Sequence, residues 1–328
     1  MDSQLATPSD SPPTDPTSLY SIHGFRFHGT GWDLFGIWIL NLAKTILTLG
    51  LYSFWAKAQT RAYLWGQSEF AGDRFGYHGT GKELLLGWVK AALLFAGLSV
   101  INGALAWQDL GILSGMLSAA ALFALFAVAR IGTMRYRLSR TSWRGIRFSF
   151  HGKLGPFLLL SLKTQFLTLL TLGLYYPFYD CTIRQYLTDR SAFGTTHFRF
   201  DGRGWDLFKM FVAHWAIGVI VIPGIAIASI FGYTSLFSAT MPQHDDTPDV
   251  AWQVLIPVIA VLLAVALVFL SYQTRRRRYF WNHTLFGDTR VHTTVSPLNL
   301  CVLYATNALL LLLTLGLAWP WVLVRTRR

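Results

Sequence analysis

Four long apolar stretches, in which Lys occurs only near the start of two (Lys90 and Lys209), constrain this chain more than any other feature. They are Leu84–Ala106, Gly111–Arg130, Leu207–Gly232 and Val250–Tyr272. A helix rises 1.5 Å per residue, so about 20 apolar residues cross the hydrocarbon core of a bilayer. Only 13% of the 328 residues are charged, about half the share that soluble domains carry. Each stretch therefore predicts a membrane-spanning helix.

The charges between these stretches predict the orientation of the chain. The two connectors "WQDL" and "YTSLFSATMPQHDDTPD" hold acidic but no basic residues, whereas Arg130–Lys153 holds seven basic residues and Arg275–Arg278 holds four. Loops rich in Lys and Arg stay in the cytoplasm. We expect a multi-pass protein of the bacterial inner membrane, with both termini cytoplasmic. The net charge of +12 then needs no nucleic-acid partner, because topology already accounts for the basic clusters.

Three further apolar segments, beginning at Asn41, Ser161 and Thr306, share the motif Thr-Leu-Gly-Leu. If all three crossed the bilayer, the acidic connector and the arginine cluster would lie on sides that their charges disfavour. We therefore favour helices that enter, break at a glycine and return, a geometry tolerated where protein or water surrounds the break. The alternative is full crossing with a local violation of the charge rule. The predicted breaks are Gly50, Gly173 and Gly316.

These segments belong to a pattern that recurs along the chain. A short unit with a Thr-Leu-Gly segment precedes a long unit with a spanning hairpin, and the pair then recurs. The fold class predicted is mainly α, a polytopic helical membrane protein with parallel internal repeats. The predicted divisions are a disordered tail at 1–18, rather than a signal peptide, a first repeat pair at 19–147, a second at 148–290 and a partial third at 291–328.

The junctions between units predict short β-strands. "FAGDRFGYHG", "SWRGIRFSFHG", "FGTTHFRFDG" and "FGDTRVHTTVS" alternate aromatic or β-branched residues with polar ones, as half-buried strands do. Unpaired strand edges are excluded from lipid. We expect four or five strands that form a small cytoplasmic sheet beneath the helices.

The combined motifs resemble the YjgN-like family of bacterial inner-membrane proteins. They lie at Phe25–Leu34, Leu47–Lys57, Arg61–Tyr63 and Phe75–Leu84. The resemblance implies a multi-pass inner-membrane protein from a family catalogued as a domain of unknown function. It brings no catalytic or binding residues. The second short unit departs from the motif, with Lys153–Pro156 in place of the glycine turn.

The recurring turn "HGTG" and its copies raise the question of a ligand site. An oxyanion hole of the lipase type accompanies a Gly-x-Ser-x-Gly elbow, and phosphate loops have other glycine spacings; the chain has neither. We interpret the turn as a joint between strand and helix. Its glycines are expected to take positive φ, and its carboxylates to cap the helix. The residues are Gly29, Gly31, Asp33, Gly79, Gly81, Glu83, Gly202, Gly204 and Asp206.

Polar residues inside apolar segments are the leading functional candidates. Ionisable groups at membrane depth are costly and mark solute pathways, which favours a transporter or channel-like protein for a small solute. The competing interpretation for the lysines is snorkelling to the interface, and for the polar residues it is contact between helices. The candidates are Lys44, Lys163, His214, Asn41 and Asn307.

Two more predictions concern partners and chemistry. Arg275, Arg276, Arg277 and Arg278 are candidates for binding anionic lipid head groups, although topology alone also explains them. They motivate the alternative function, a non-catalytic scaffold that binds anionic lipid or an envelope protein. The nine histidines and two cysteines show no metal or catalytic spacing, so we expect no enzyme activity, no cofactor and no metal.

Overall fold

A computed structural model describes residues 24–107, 110–240, 250–293 and 296–328. The predicted tail at 1–18 lies outside these ranges. So do the acidic residues Asp245, Asp246 and Asp249.

Within the described residues the chain forms five successive pairs of helices. The two helices of each pair pack against each other. The pairs are α1 (Gly31–Leu47) with α2 (Ser53–Gly66), α3 (Gly81–Ala106) with α4 (Gly111–Ser139), α5 (Leu154–Leu170) with α6 (Tyr176–Asp189), α7 (Gly204–Thr240) with α8 (Val250–Asn282), and α9 (Pro297–Leu313) with α10 (Trp319–Arg327).

The second and fourth pairs are the long ones, and they contain the predicted spans. Among the described residues, four helices are long and apolar enough to cross a membrane: Gly81–Leu105, Gly111–Ser139, Gly204–Ser229 and Leu255–Asn282. The prediction of four spanning helices is confirmed at this level. The loop predicted from Tyr233 is wrong at its start, because α7 continues to Thr240. No glycine or proline lies between Tyr233 and Thr240 to stop the helix.

The other three pairs are short hairpins that reverse at the predicted glycines. Gly50, Gly173 and Gly316 have φ of 93°, 92° and 86°, and the leucine before each has φ of 50°. This left-handed pair of residues ends the first helix and turns the chain back. The strand before α1 is hydrogen-bonded to the strand after α2, so the hairpin begins and ends at the same sheet.

The threonine of each Thr-Leu-Gly motif fastens this reversal. The Thr48 hydroxyl donates to the Lys44 carbonyl at 2.8 Å and accepts from the Tyr52 backbone N–H at 2.9 Å. Thr171 and Thr314 make the corresponding pair of bonds in the other two hairpins. One side chain therefore serves both helices, satisfying a carbonyl and an N–H that the break leaves over.

The described residues form one antiparallel sheet of nine strands in chain order. The expectation of four or five strands is therefore wrong. Each junction folds as a hairpin of two strands around a tight turn. Both φ values are positive in the turns Ala71-Gly72 and Arg144-Gly145, and Gly194 and Gly287 have positive φ in the other two. The strands are β1 (Phe25–Phe27), β2 (Ser68–Phe70), β3 (Asp73–Tyr77), β4 (Thr141–Trp143), β5 (Ile146–Phe150), β6 (Ser191–Phe193), β7 (Thr196–Phe200), β8 (Thr284–Phe286) and β9 (Thr289–Arg290).

The five-residue strands each divide their pairing between two neighbours. In β3, Asp73 and Arg74 pair with β2, while Phe75–Tyr77 pairs with β4. The strands β5 and β7 split in the same way. The sheet is therefore a staircase of hairpins, each one offset from the last.

Aromatic rings run along one face of this staircase. Successive rings lie 4.7–6.5 Å apart, centroid to centroid, in stacked or tilted arrangements. Aromatic pairs at these separations stabilise neighbouring strands. The ladder consists of Phe25, Phe70, Phe75, Trp143, Phe148, Phe193, Phe198 and Phe286.

The helix pairs form a closed ring. Each pair contacts the next, and α10 packs against α1. The Trp321 ring lies 5.0 Å from the rings of Trp32 and of Phe35. Arg328 donates to the Gly29 carbonyl at 3.1 Å. The last helix therefore closes on the first.

The glycines of the recurring turn serve this packing rather than a left-handed backbone. None of Gly29, Gly31, Gly79 or Gly81 has positive φ, so that expectation is wrong. Instead, a Cβ on Gly31 would overlap the Trp321 ring, and one on Gly81 would overlap Trp55. Gly202 and Gly204 also lack positive φ. A Cβ on Gly202 would overlap the Phe200 ring, and one on Gly204 would overlap the Phe178 ring.

Candidate functional site

The polar groups of the recurring turn form hydrogen bonds to the start of the helix that follows it. Thr30 is the N-cap of α1, and its hydroxyl oxygen accepts from the Asp33 backbone N–H at 3.2 Å. Thr80 and Glu83 form a reciprocal capping box at α3. The three predicted carboxylates do lie in first helical turns, but in the first two copies threonine is the cap.

A tyrosine from the returning helix locks the turn from the other side. The Tyr63 hydroxyl accepts from the Thr30 N–H at 2.9 Å and donates to the Thr30 carbonyl at 3.1 Å. Tyr279 makes the same two bonds to Arg203, at 2.6 and 3.0 Å. Tyr186 donates to the Lys153 carbonyl at 2.7 Å, in the copy where Leu154 stands in place of the second glycine. The turn is thus a structural joint, and its backbone is already hydrogen-bonded.

Buried polar side chains recur at one depth in the helix bundle. Asn41, Thr164, His214 and Asn307 each stand ten residues after the first residue of their helix, about 15 Å along it. Their exposed fractions are only 3–6%. Three of them were predicted; Thr164 was missed because a threonine in an apolar helix is an ordinary residue.

The contacts of these four residues differ. The Asn307 amide nitrogen donates to Thr326 at 3.3 Å, and its amide oxygen accepts from Arg325 at 3.3 Å. The Asn41 amide nitrogen is buried and has no hydrogen-bond partner among the described residues. Asn307 therefore joins two helices, whereas Asn41 retains a donor for another group.

His214 lies beside a cavity in the long hairpin α7–α8. The cavity has a volume of about 550 Å³, and its wall includes His214, Tyr272, Phe211 and Pro223. The ring of His214 meets that of Tyr272 edge to face at 5.6 Å, and its Nδ1 is 2.7 Å from the Met210 carbonyl. The Tyr272 hydroxyl is buried without a partner in the described chain. The side chains of His214 and Tyr272 thus belong to the wall of a mainly apolar cavity.

The lysines predicted at membrane depth are not buried. Lys44 and Lys163 are exposed, and the Lys44 Nζ lies 5.3 Å from the centre of the Tyr52 ring. Lys90 is exposed as well. A cation over an aromatic ring is a stable surface arrangement, so these positions suit snorkelling. A pathway role for Lys44 and Lys163 stays a prediction.

The arginine run of α8 is divided between two environments. Arg275, Arg277 and Arg278 are exposed. Arg276 turns inward and forms a two-point ion pair with Asp180 of α6, whose side chain is only 14% exposed. One signal could have indicated this pair: Asp180 stands seven residues after Gly173, where Lys57 stands seven residues after Gly50, so the charge is reversed.

No group of three or more His, Cys, Asp or Glu residues, among those the structure describes, is placed to hold a metal ion. The two cysteines, Cys181 and Cys301, are both free.

The comparison with protein families decides which class the chain belongs to. The family described as "Bacterial protein of unknown function (DUF898)" matches residues 22–328. The chain belongs to this family. No solved structure matches it.

Curated relatives support the same assignment. Over 129 residues the chain is 33% identical to the inner membrane protein YjgN of Escherichia coli O157:H7 and to that of strain K12. It is 28% identical over 130 residues to YjgN of Salmonella typhimurium strain LT2. These alignments cover 39% of this chain and 31% of each relative. The predicted resemblance to a YjgN-like family is confirmed, and the chain is a membrane protein related to inner-membrane proteins.

Proposed function

We propose that the protein carries a small solute across the bacterial inner membrane. The observation that carries this proposal is the cavity of about 550 Å³ in α7–α8, with His214 and Tyr272 in its wall. A buried hydroxyl without a partner is costly in an apolar setting. A solute that supplies a hydrogen bond to Tyr272 would recover that cost.

The polar groups continue from this cavity toward the sheet. Tyr272 stands one helical turn before Arg276 on α8, and Arg276 pairs with Asp180 of α6. Asn41, Thr164 and Asn307 stand at the same position as His214 along the first helix of each short hairpin. This distribution suits a solute that exchanges hydrogen bonds as it moves.

The proposed topology follows from the same architecture. The recurring pairs of short and long hairpins are parallel repeats, and the sheet with both chain termini lies in the cytoplasm. The three short hairpins re-enter the bilayer: α1 is 17 residues long, about 25 Å, and falls short of a core of about 30 Å. Their tips suit lipid, since Leu49, Leu172 and Leu315 are 93–96% exposed.

Flux measurements on the full chain in liposomes test the transport proposal. The probes are phosphate, chloride, acetate and glycerol, with protein-free liposomes as background. We expect flux of at least one probe above background, and reduced flux in His214→Leu and Tyr272→Phe. His292→Leu is the matched control, because His292 is exposed and lies outside the helices. Background flux for every probe would overturn the proposal.

A second function is favoured by the exposed basic side chains. Arg275, Arg277 and Arg278 face outward at the end of α8, and each basic residue near an anionic surface contributes about 1 kcal/mol of binding. The protein would then be a non-catalytic scaffold for anionic lipid or an envelope partner, with no enzyme activity. Crosslinking that recovers no partner, with no preference for anionic lipid, would exclude this function.

A further inference from the structure

Two half-buried arginines lie outside the α7–α8 cavity, Arg184 of α6 and Arg276 of α8. Both lie against the Phe280 ring, with guanidinium carbons 5.6 and 5.4 Å from the ring centre. Arg184 also lies 5.5 Å from the Trp281 ring. The guanidinium groups of Arg184 and Arg276 thus both lie against aromatic side chains in the same turn of α8.

Arg130 of α4 completes the group. Its neighbours Ala127 and Ile131 pack in one core with Ile183 and Tyr186 of α6. This contact holds α4 against the turn of α6 that carries Arg184. Burial lowers the pKa of Arg184, Asp180 raises it, and the charges of Arg130 and Arg276 lower it. Arg130 itself is exposed, so a ligand has access from its side.

Asp180 is the carboxylate that pairs with this group of arginines, and both of its oxygens already accept hydrogen bonds from Arg276. The two oxygens of Asp180 accept from Nε and Nη2 of Arg276, and the Arg276 Nη1 donates to Gln273 at 2.8 Å. The Arg184 Nε is buried with no hydrogen-bond partner in the described chain. Among the residues that the structure describes, Arg130 and Arg184 are thus left without a carboxylate of their own, and the buried Arg184 Nε in particular has a donor to satisfy.

We propose that Arg130 and Arg184 bind a phosphate-type oxyanion, with the Asp180–Arg276 pair positioning Arg184. Guanidinium groups present paired donors that match phosphate oxygens, and a dianion balances the charges of these two arginines. Asp180 precedes Arg184 by one helical turn, so both side chains lie on the same face of α6. The oxyanion is either free phosphate or the phosphate of a lipid head group.

Binding measurements on the full chain in lipid nanodiscs test this site. Labelled inorganic phosphate is titrated at constant ionic strength, against chloride, in discs of phosphatidylcholine with and without phosphatidylglycerol. We expect saturable phosphate binding that weakens about tenfold or more in Arg184→Gln and Arg130→Gln, because each loses charged hydrogen bonds. The matched control is Arg61→Gln, which stands eleven residues after Gly50 as Arg184 does after Gly173.

The lipid arm identifies the source of the oxyanion. Loss of phosphate binding in discs with phosphatidylglycerol points to the head group, and unchanged binding points to free phosphate. Absence of both phosphate binding and a preference for phosphatidylglycerol would overturn the site. So would an Arg184→Gln protein that binds like the wild type.

A measurement on the wild-type chain keeps the test valid if a variant fails to fold. Phenylglyoxal modifies accessible arginines, and phosphate is expected to protect Arg130 but not Arg275 in peptide mass spectra. Equal modification of Arg130 with and without phosphate, in both kinds of disc, contradicts the proposal. Only the idea that phosphate is the transported solute rests on the proposed function; the binding site does not. Phosphate binding without phosphate flux would reject transport alone. Phosphate flux that is unchanged in Arg184→Gln would reject the binding site alone.

Discussion

The indole of Trp321, in the last helix, fills the space that a side chain on Gly31, the first residue of α1, would occupy. Trp55 stands in the same relation to Gly81, and Phe178 to Gly204. The contact between the ends of the chain therefore repeats the contact between units inside it. Ring closure is part of the packing scheme, and the last ten residues complete the first unit.

Gly31→Ala tests this closure. The added methyl group overlaps the Trp321 ring, and overpacking of this kind costs about 2 kcal/mol of unfolding free energy. Gly36→Ala is the matched control, since Gly36 lies in the same helix with no atom within 4 Å of an added Cβ, and it should gain about 1 kcal/mol from helix propensity. Thermal unfolding in detergent measures both. Equal stability of the two variants would refute the closure.

The threonine at each hairpin reversal offers a second test. Thr48→Val keeps the shape of the side chain but leaves the Tyr52 N–H without its acceptor, at a cost of about 1 kcal/mol. Thr306→Val is the comparison, because Thr306 bonds only to carbonyls of its own helix. We expect a lower unfolding temperature for Thr48→Val than for Thr306→Val. The reverse order would show that the bond across the turn is dispensable.

Removal of the Tyr63 hydroxyl tests whether this tyrosine holds the recurring turn in place. Tyr63→Phe removes both bonds to Thr30, and we expect a loss of about 1 kcal/mol. Tyr304→Phe serves as the control, since the hydroxyl of Tyr304 has a single surface contact, 3.2 Å from Arg277. Hydrogen exchange of the Thr30 amide should rise in Tyr63→Phe alone. Unchanged exchange would contradict the joint.

Cysteine labelling tests whether the short hairpins stay within the bilayer. In a Cys301→Ala background, with Cys181 buried, Leu172→Cys at a hairpin tip should resist a membrane-impermeant maleimide from either side. Asp288→Cys, on an exposed turn of the sheet, should be labelled only from the cytoplasmic side. Both should react in detergent. Labelling of Leu172→Cys from the periplasm would show that the hairpin crosses the membrane.

Sequence reasoning succeeded where the signal is local. Apolar length found the four long helices, and the glycine of each Thr-Leu-Gly motif located a reversal, because both depend on consecutive residues. The predicted number of strands was too low because a tight turn, such as Ala71-Gly72, divides each junction into two strands. Turn glycines with negative φ show no local trace of the aromatic ring that excludes a side chain.

The parts of the candidate sites that the sequence missed are contacts between distant residues. Asp180 and Arg276 stand 96 positions apart, and Tyr272 meets His214 only because α7 and α8 pack together. Spacing cannot indicate which of four consecutive arginines turns inward. That choice depends on the direction of α8 relative to α6, which is a property of the folded ring.

The staircase sheet restricts how such a chain can change in length. Each five-residue strand gives its first residues to one neighbour and its last to another, so a single inserted residue in β5 would turn Phe148 away from the aromatic ladder. Every step beyond it would lose register. A longer or shorter chain that keeps this sheet must therefore gain or lose a whole step, which is one strand pair with its helical hairpin. Evolution can change the length of such a chain only in units of that size.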